Sequence, residues 1–328
     1  MPPHAANALR PRVALETTLL LHGVPRDSSL QLFRDLAAAV REGSAGIAEP
    51  AVIGVKAGQP IIGMTEHQFM GLLEPNPRSR ASGAPGSPAP SEHRSAGGAT
   101  PKLNTANLGV ALHRHLDGAT TVSTTLELAA AAGIRVFATG GLGGVHRNFH
   151  SLLDISPDLA ALTRFPVAVV CSGVKSILDI ASTREALETL GIPVIGFQTD
   201  VFPAFYLHSS PPPASPLAVD ARFDDPADLA RFAARELART RRAVVIANPV
   251  PREHELSPAD WTRWVSQAMS DADAAGVTGR DVTPFVLSRL HDLSMGATLH
   301  ANIELVKSNA RLAGRLAKEM ATAIPATH

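Results

Sequence analysis

The sequence predicts an α/β fold, a three-layer α/β/α domain with a mostly parallel central sheet. Two observations carry that expectation. Short apolar, β-branched runs at 13–15, 134–138, 167–171, 194–197 and 243–247 read as buried strands. They alternate with longer segments whose apolar residues recur at helical spacing, such as Leu30, Phe33, Leu36 and Val40. A third observation orients the sheet: Gly, Asn and Lys gather in the loops that follow the runs, the carboxyl edge where parallel sheets hold ligands.

With 328 residues, 45% of them hydrophobic, the chain can bury a sizeable core, and a single domain over 1–328 is expected. Thirty basic residues balance thirty acidic ones, so no electrostatic argument favours a nucleic acid or membrane-surface partner. A small-molecule ligand fits better. Cys171 is the only cysteine, which excludes an intramolecular disulfide and suits a reducing cytoplasm. The first twelve residues lack the apolar core of a signal peptide and read as a disordered lead-in. No apolar run approaches the roughly 20 residues that span a bilayer.

In chain order, 13–15 is a strand that ends on Glu16, with Thr17 and Thr18 beside it and His22-Gly23-Val24-Pro25 turning away. A carboxylate in so apolar a run is either satisfied by backbone N–H groups or chemically employed. A helix follows at 30–41, ended by Gly43. The pair 51–55 and 60–64, around the turn Lys56-Ala57-Gly58-Gln59, reads as a hairpin, and 66–73 as a short helix. From about 75 to 101 the chain is dominated by Pro, Gly, Ser, Ala and Arg, the composition of a disordered insert. The stretch 117–132 reads as a helix with hydroxyls and free N–H groups at its start, where anions are favoured. An irregular loop at about 209–221 precedes a helix at 226–240. Ser257 caps another helix, Thr283-Pro284 starts the next, and 299–323 forms a long last one.

The chemistry concentrates in 132–180. Gly140-Gly141-Leu142-Gly143-Gly144 permits close backbone approach to a ligand and leads to His146 and Arg147. Ser172-Gly173 leads to Lys175 and the apolar Ile177-Leu178, read as a helix start. An amine there is disfavoured as a cation by helix dipole and desolvation, and a neutral amine is a nucleophile. Between them, Asp154-Ile155-Ser156-Pro157-Asp158 sets a hydroxyl between two carboxylates, a pattern for a hard cation or a hydroxylated ligand.

These residues, spelled FATGGLGGVHR, LLDISPDL and VAVVCSGVKSILDI, resemble the pseudouridine-5'-phosphate glycosidase family, also called indigoidine-synthase-A-like. The resemblance extends to VALETTLLLHGVP, DGATTV, LETLGIPVIGFQTDVFPAFY, ANPVP and the segment 283–310, nearly the whole chain in order. It implies that Glu16 is the proton donor and Lys175 the nucleophile at the sugar's anomeric carbon, forming a ring-opened imine that acts as electron sink. It implies substrate contacts from Lys102, Val122, Thr139, His146, Ser156, Pro157, Asp158 and Asn302. Asp154 would bind Mn²⁺, with Mg²⁺ or another divalent ion possible, and the assembly would be a homotrimer.

This chain departs from the family's K-x-S-R-R-D-L, reading Lys102-Leu103-Asn104-Thr105-Ala106-Asn107-Leu108, and carries Pro157 for an alanine and Val201 for an acid. The implied activity is metal-dependent, reversible cleavage of pseudouridine 5'-phosphate to uracil and ribose 5-phosphate. The alternative is the same chemistry run as synthesis, attaching ribose 5-phosphate to an aromatic acceptor in secondary metabolism. A non-catalytic nucleotide-binding module is the remaining reading, although the Gly-rich turn spells neither G-x-G-x-x-G nor a Walker lysine motif.

Overall fold

The computed structural model describes residues 10–74, 100–147, 153–210, 215–277 and 282–323. The expected insert at 75–101 therefore lies, up to residue 99, outside the described residues, as do 211–214 of the expected loop.

Strand β1 (Arg12–Glu16) is buried over most of its length and runs directly into helix α1 (Thr17–His22). The apolar block Leu19-Leu20-Leu21 is thus helical, and the expected turn at His22-Gly23-Val24-Pro25 follows at the end of this helix. Helix α2 (Arg26–Gly43) buries Leu32, Phe33, Leu36 and Val40 on one stripe. The hairpin is present as β2 (Glu49–Lys56) and β3 (Gln59–Ile62), antiparallel. Helix α3 (Glu66–Leu73) begins in a capping box between Thr65 and Gln68. Next come β4 (Lys102–Leu103), α4 (Leu108–His113), β5 (Gly118–Thr120) and α5 (Val122–Ala131). The expected helix at 117–132 is therefore corrected to a three-residue strand followed by a helix. A strand that short offers no period to read.

Then follow β6 (Val136–Ala138), α6 (Pro157–Leu162), β7 (Ala168–Cys171), α7 (Ile180–Thr189), β8 (Val194–Phe197) and β9 (Ala221–Phe223). The chain closes with α8 (Pro226–Thr240), β10 (Val244–Ala247), α9 (Pro258–Ala274), α10 (Val282–Leu293) and α11 (Ala297–Ala323). Ser257 caps α9 by accepting from the Asp260 N–H.

The sheet has ten strands in the order β4-β5-β2-β1-β6-β7-β10-β8-β9, with β3 also on β2. Among the described residues only the β2–β3 and β2–β5 strand pairs are antiparallel. Helices cover both faces: α11 packs on β1, β6 and β7 and against α2 and α8, while α5 packs on β1, β2 and α6. This is the α/β/α architecture that the alternation of strand and helix predicts. Because β1, β6, β7 and β10 are consecutive and parallel, their carboxyl ends share one edge of the sheet.

Candidate active site

At that edge each of the four strands ends in, or is followed by, a polar residue: Glu16, Thr139, Ser172 and Asn248. Glu16 is 5% exposed, and its Oε1 accepts from the Thr139 hydroxyl at 2.5 Å. Burial pushes its pKa from 4.5 up to about 7. The Lys175 ammonium, the Thr139 hydroxyl and, more weakly, Lys102 pull it down, while Asp158 adds to the rise. Near neutral pH the carboxyl is thus present as both acid and base.

A buried hydroxyl network fixes where β1 ends. The Thr17 and Thr120 hydroxyls both donate to the Ile53 carbonyl, at 2.9 and 2.7 Å. The Thr120 N–H donates to Thr17 Oγ1 at 2.8 Å, and Thr125 Oγ1 to Thr120 Oγ1 at 3.0 Å. With all its members satisfied, such a network holds one geometry.

Lys175 lies in the turn after β7. Its N–H donates to the Leu142 carbonyl at 3.1 Å, and Arg147 donates to the Ile177 carbonyl at 3.1 Å. Gly173 has φ +81°, and a Cβ there would meet the Pro203 carbonyl oxygen at 1.9 Å. The expectation of a lysine just inside a helix is corrected: α7 starts at Ile180, capped by Asp179, and the Lys175 side chain is exposed. Helix dipole and burial therefore do not act on it as foreseen. What surrounds it is charge, since Lys175 and Lys102 both act on Glu16.

The Lys102 ammonium is held below the ordinary lysine range, first by crowding protein atoms and then by the Lys175 charge, with Glu16 opposing. Lys102 as a residue still reaches solvent. Asn104 and Asn107, which stand where the family pattern has serine and aspartate, build the turn after it. The Asn104 N–H donates to Asn107 Oδ1 at 2.8 Å, the Ala106 N–H to Asn104 Oδ1 at 2.9 Å, and Asn107 Nδ2 to the Lys102 carbonyl at 3.3 Å. On the other side, His22 Nε2 bonds the Thr100 carbonyl at 2.9 Å. Burial and the Lys102 charge lower the His22 pKa to about 4, so this ring is neutral and donates.

Asp158 and Ser156 are occupied by the protein's own backbone. Asp158, 5% exposed, accepts from the Gly143 N–H at 2.9 Å and the Ser123 N–H at 3.0 Å. Ser156 Oγ caps α6 by accepting from the Asp158 N–H at 3.2 Å. The two therefore clamp the Gly-rich turn to the start of α5. Pro157 sits exposed at the first position of α6, where its missing N–H is no loss. The Val122 side chain is 1% exposed inside the core, which leaves only its backbone for a ligand.

His146 and Asp154 pair across an antiparallel bridge between Val145 and Ile155. The His146 N–H donates to the Asp154 carbonyl at 3.0 Å, and Nδ1 lies 3.5 Å from Oδ2. The Asp154 side chain is 54% exposed. Asn302, 8% exposed, donates to the Gly23 carbonyl at 3.2 Å and leaves Oδ1 buried without a protein partner beside Gly140. Thr18 Oγ1 and Ser176 Oγ, next in sequence to the buried Thr17 and to Lys175, are likewise unpartnered. Such orphans are costly unless a ligand satisfies them.

Sequence reasoning missed Thr120, Thr125, His22, Ser172 and Asn309 as members of the site's framework. For Asn309 a signal existed: with Asn302 it interrupts the apolar stripe Leu305, Val306, Leu312, Ala313 and Leu316 of α11.

Among the described residues no helix is long and apolar enough to cross a membrane. The family model "Indigoidine synthase A like protein" matches residues 3–319. The chain is 42% identical to pseudouridine-5'-phosphate glycosidase of Paracoccus denitrificans over 98% of its own length and 97% of the relative's. It is 43% identical to that of Geobacillus kaustophilus over 95% and 94%. Among solved structures it is similar to the prealnumycin C-glycosynthase AlnA in complex with ribulose 5-phosphate, with TM-score 0.80 and 31% identity, covering 95% of this chain and 92% of that one. An indigoidine synthase A-like protein of Thermotoga maritima superposes with TM-score 0.76 at 31% identity, covering 94% and 93%. A match over nearly the whole chain, with a titrating glutamate and two lysines gathered at the sheet edge, places this protein in the indigoidine synthase A-like family of pseudouridine-5'-phosphate glycosidases.

Proposed function

We infer that the protein is a C-glycosidase, a lyase that reversibly cleaves pseudouridine 5'-phosphate to uracil and ribose 5-phosphate. One observation carries the reading: Lys175, a potential nucleophile, acts electrostatically on a buried Glu16 whose pKa of about 7 lets it give and take protons. The names of the relatives support the same chemistry.

In this reading the neutral Lys175 amine attacks the sugar's anomeric carbon, and the bond to the ring oxygen breaks as Glu16 protonates that oxygen. The new secondary ammonium returns a proton to the Glu16 carboxylate, which passes it to C5 of uracil. The nitrogen lone pair then forms a C=N bond while the glycosidic C–C electrons restore the C5=C6 double bond, and uracil leaves. Water hydrolyses the imine, releasing ribose 5-phosphate and the amine.

Asp154 with His146 fits a largely hydrated divalent ion, because one open carboxylate beside an imidazole suits Mn²⁺ or Mg²⁺ that keeps most of its waters. When bound, that ion would supply positive charge to substrate oxygens. The unpartnered Ser176, Thr18 and Asn302 oxygens are offered as substrate contacts, together with Lys102 and the backbone of Val122. Thr139, Ser156 and Asp158 act by holding Glu16 and the Gly-rich turn. A homotrimer in the cytoplasm belongs to the same reading, and light scattering of the purified protein measures the assembly.

The similarity to a C-glycosynthase, with Val201 and Pro157 as departures from the family pattern, favours one second reading: synthesis onto an aromatic acceptor. Incubation with ribose 5-phosphate, Mn²⁺ and either uracil or a panel of aromatic acceptors separates the two. For the chemistry itself, borohydride with ribose 5-phosphate should trap a covalent adduct on the Lys175 peptide. Lys175→Arg should abolish it, because a guanidinium stays charged. An adduct that survives the substitution would move the nucleophile elsewhere.

A further inference from the structure

Asn309 is fully buried in the middle of α11, on the face that packs against β1, β6 and β7. Its amide orientation is fixed chemically, since the Thr139 carbonyl can only accept. Nδ2 donates to that carbonyl at 2.8 Å and to Ser172 Oγ at 3.1 Å, while Oδ1 accepts from Asn248 Nδ2 at 2.9 Å. One side chain thus ties together the residues that follow β6, β7 and β10. Thr139 is the residue whose hydroxyl donates to Glu16. Any shift of the Thr139 peptide moves that hydroxyl relative to the carboxyl.

We propose that Asn309 is a positioning residue for the proton-transferring Glu16, acting through Thr139 and without touching substrate. The inference rests on the glycosidase reading for its kinetic arm and on the sheet-edge geometry for its titration arm. The charged groups facing Glu16 are Lys175 from the turn after β7, Lys102 from β4 and Asp158 from α6. Asn309 carries no charge, so its removal alters the Glu16 proton only by loosening the Thr139 bond.

The test is a double-substitution cycle of Asn309→Ser and Thr139→Val on the full chain with pseudouridine 5'-phosphate, alongside NMR titration of Glu16 assigned with Glu16→Gln. Asn309→Ser should lower kcat about tenfold or more with KM within about twofold. The loss should largely vanish in the Thr139→Val background, because both substitutions remove one effect. The Glu16 titration should move upward by about half a pH unit or more, since a bond favouring the carboxylate is lost. If Asn309→Ser does not fold, Ser172→Ala, which deletes one Asn309 partner, replaces it and should act in the same direction. An undiminished fold-loss in Thr139→Val, a loss confined to KM, or an unmoved Glu16 titration would overturn the proposal. If the unsubstituted protein turns over no pseudouridine 5'-phosphate, the function reading fails by itself, and the titration alone decides the role of Asn309.

Discussion

In the proposed chemistry Glu16 combines a cost to the fold with a use as acid and base. Its folded pKa of about 7 exceeds the ordinary 4.5, so the folded protein binds a proton between those values that the unfolded chain has released. Stability therefore falls as pH rises from 4.5 to 7, by on the order of 3 kcal/mol in total. Glu16→Gln keeps an oxygen to accept from Thr139 and removes this penalty. Thermal melts at pH 8 should show the variant more stable than the parent, the gap closing near pH 5, while kcat drops about a hundredfold or more. Equal melting at pH 8 would mean that the carboxyl is not held above its usual range. Asp154→Ala should leave the melt unchanged, because the side chain is half exposed, yet remove reactivation by Mn²⁺ after chelation. Reactivation that persists would place the ion elsewhere. Of these residues, Glu16, Lys175 and Asp154 stood out in the chain as candidates through their motifs. The hydroxyls and amides that hold them were not, since Thr120 or Asn309 gains meaning only from partners more than a hundred residues away.

Among the elements, the Gly-rich turn is the most tightly specified. A Cβ at Gly143 would lie 2.3 Å from Ser156 Oγ and 2.7 Å from Asp158 Oδ2, the carboxylate oxygen that accepts the Gly143 N–H. Gly143→Ala should therefore cost about 1–3 kcal/mol in denaturant unfolding and lower activity, by pushing the turn off Asp158. A neutral outcome would show that the turn tolerates displacement. Glycine density made this loop conspicuous in the sequence, but the reason lies across the fold in α6. The misplaced helix start at Lys175 has a physical cause as well. Ser172-Gly173 and the apolar Ile177-Leu178 imitate a cap and a first turn, whereas the true cap is Asp179, whose carboxylate accepts from the Ser182 N–H at 2.9 Å. Strands of four or five buried residues were readable because burial on both faces demands continuous β-branched sequence.

For the whole molecule, the core is continuous from β1 to α11, and the alternation of strand and helix sufficed to predict its layers. The segment 78–99 is rich in Pro, Gly, Ser and Ala, which gives it little apolar surface to bury. Shortening it to a few residues should change the melting temperature by no more than about 2 °C, because loop closure depends only weakly on length. Thr100 must be kept, since its carbonyl holds His22 and its hydroxyl donates to the Leu72 carbonyl at 2.5 Å. A larger drop in scanning calorimetry would mean that the segment contributes to the folded core.

The position of α11 also sets an order of assembly. The last strand ends at Ala247, yet the helix that covers β1, β6 and β7 and pins Thr139 begins only at Ala297. A chain emerging from the ribosome therefore has every described strand of its sheet before it has the asparagines of α11 that complete the proposed active edge. Until the final helix arrives, the growing polypeptide exposes one flank of its sheet and has no finished place to perform the reaction.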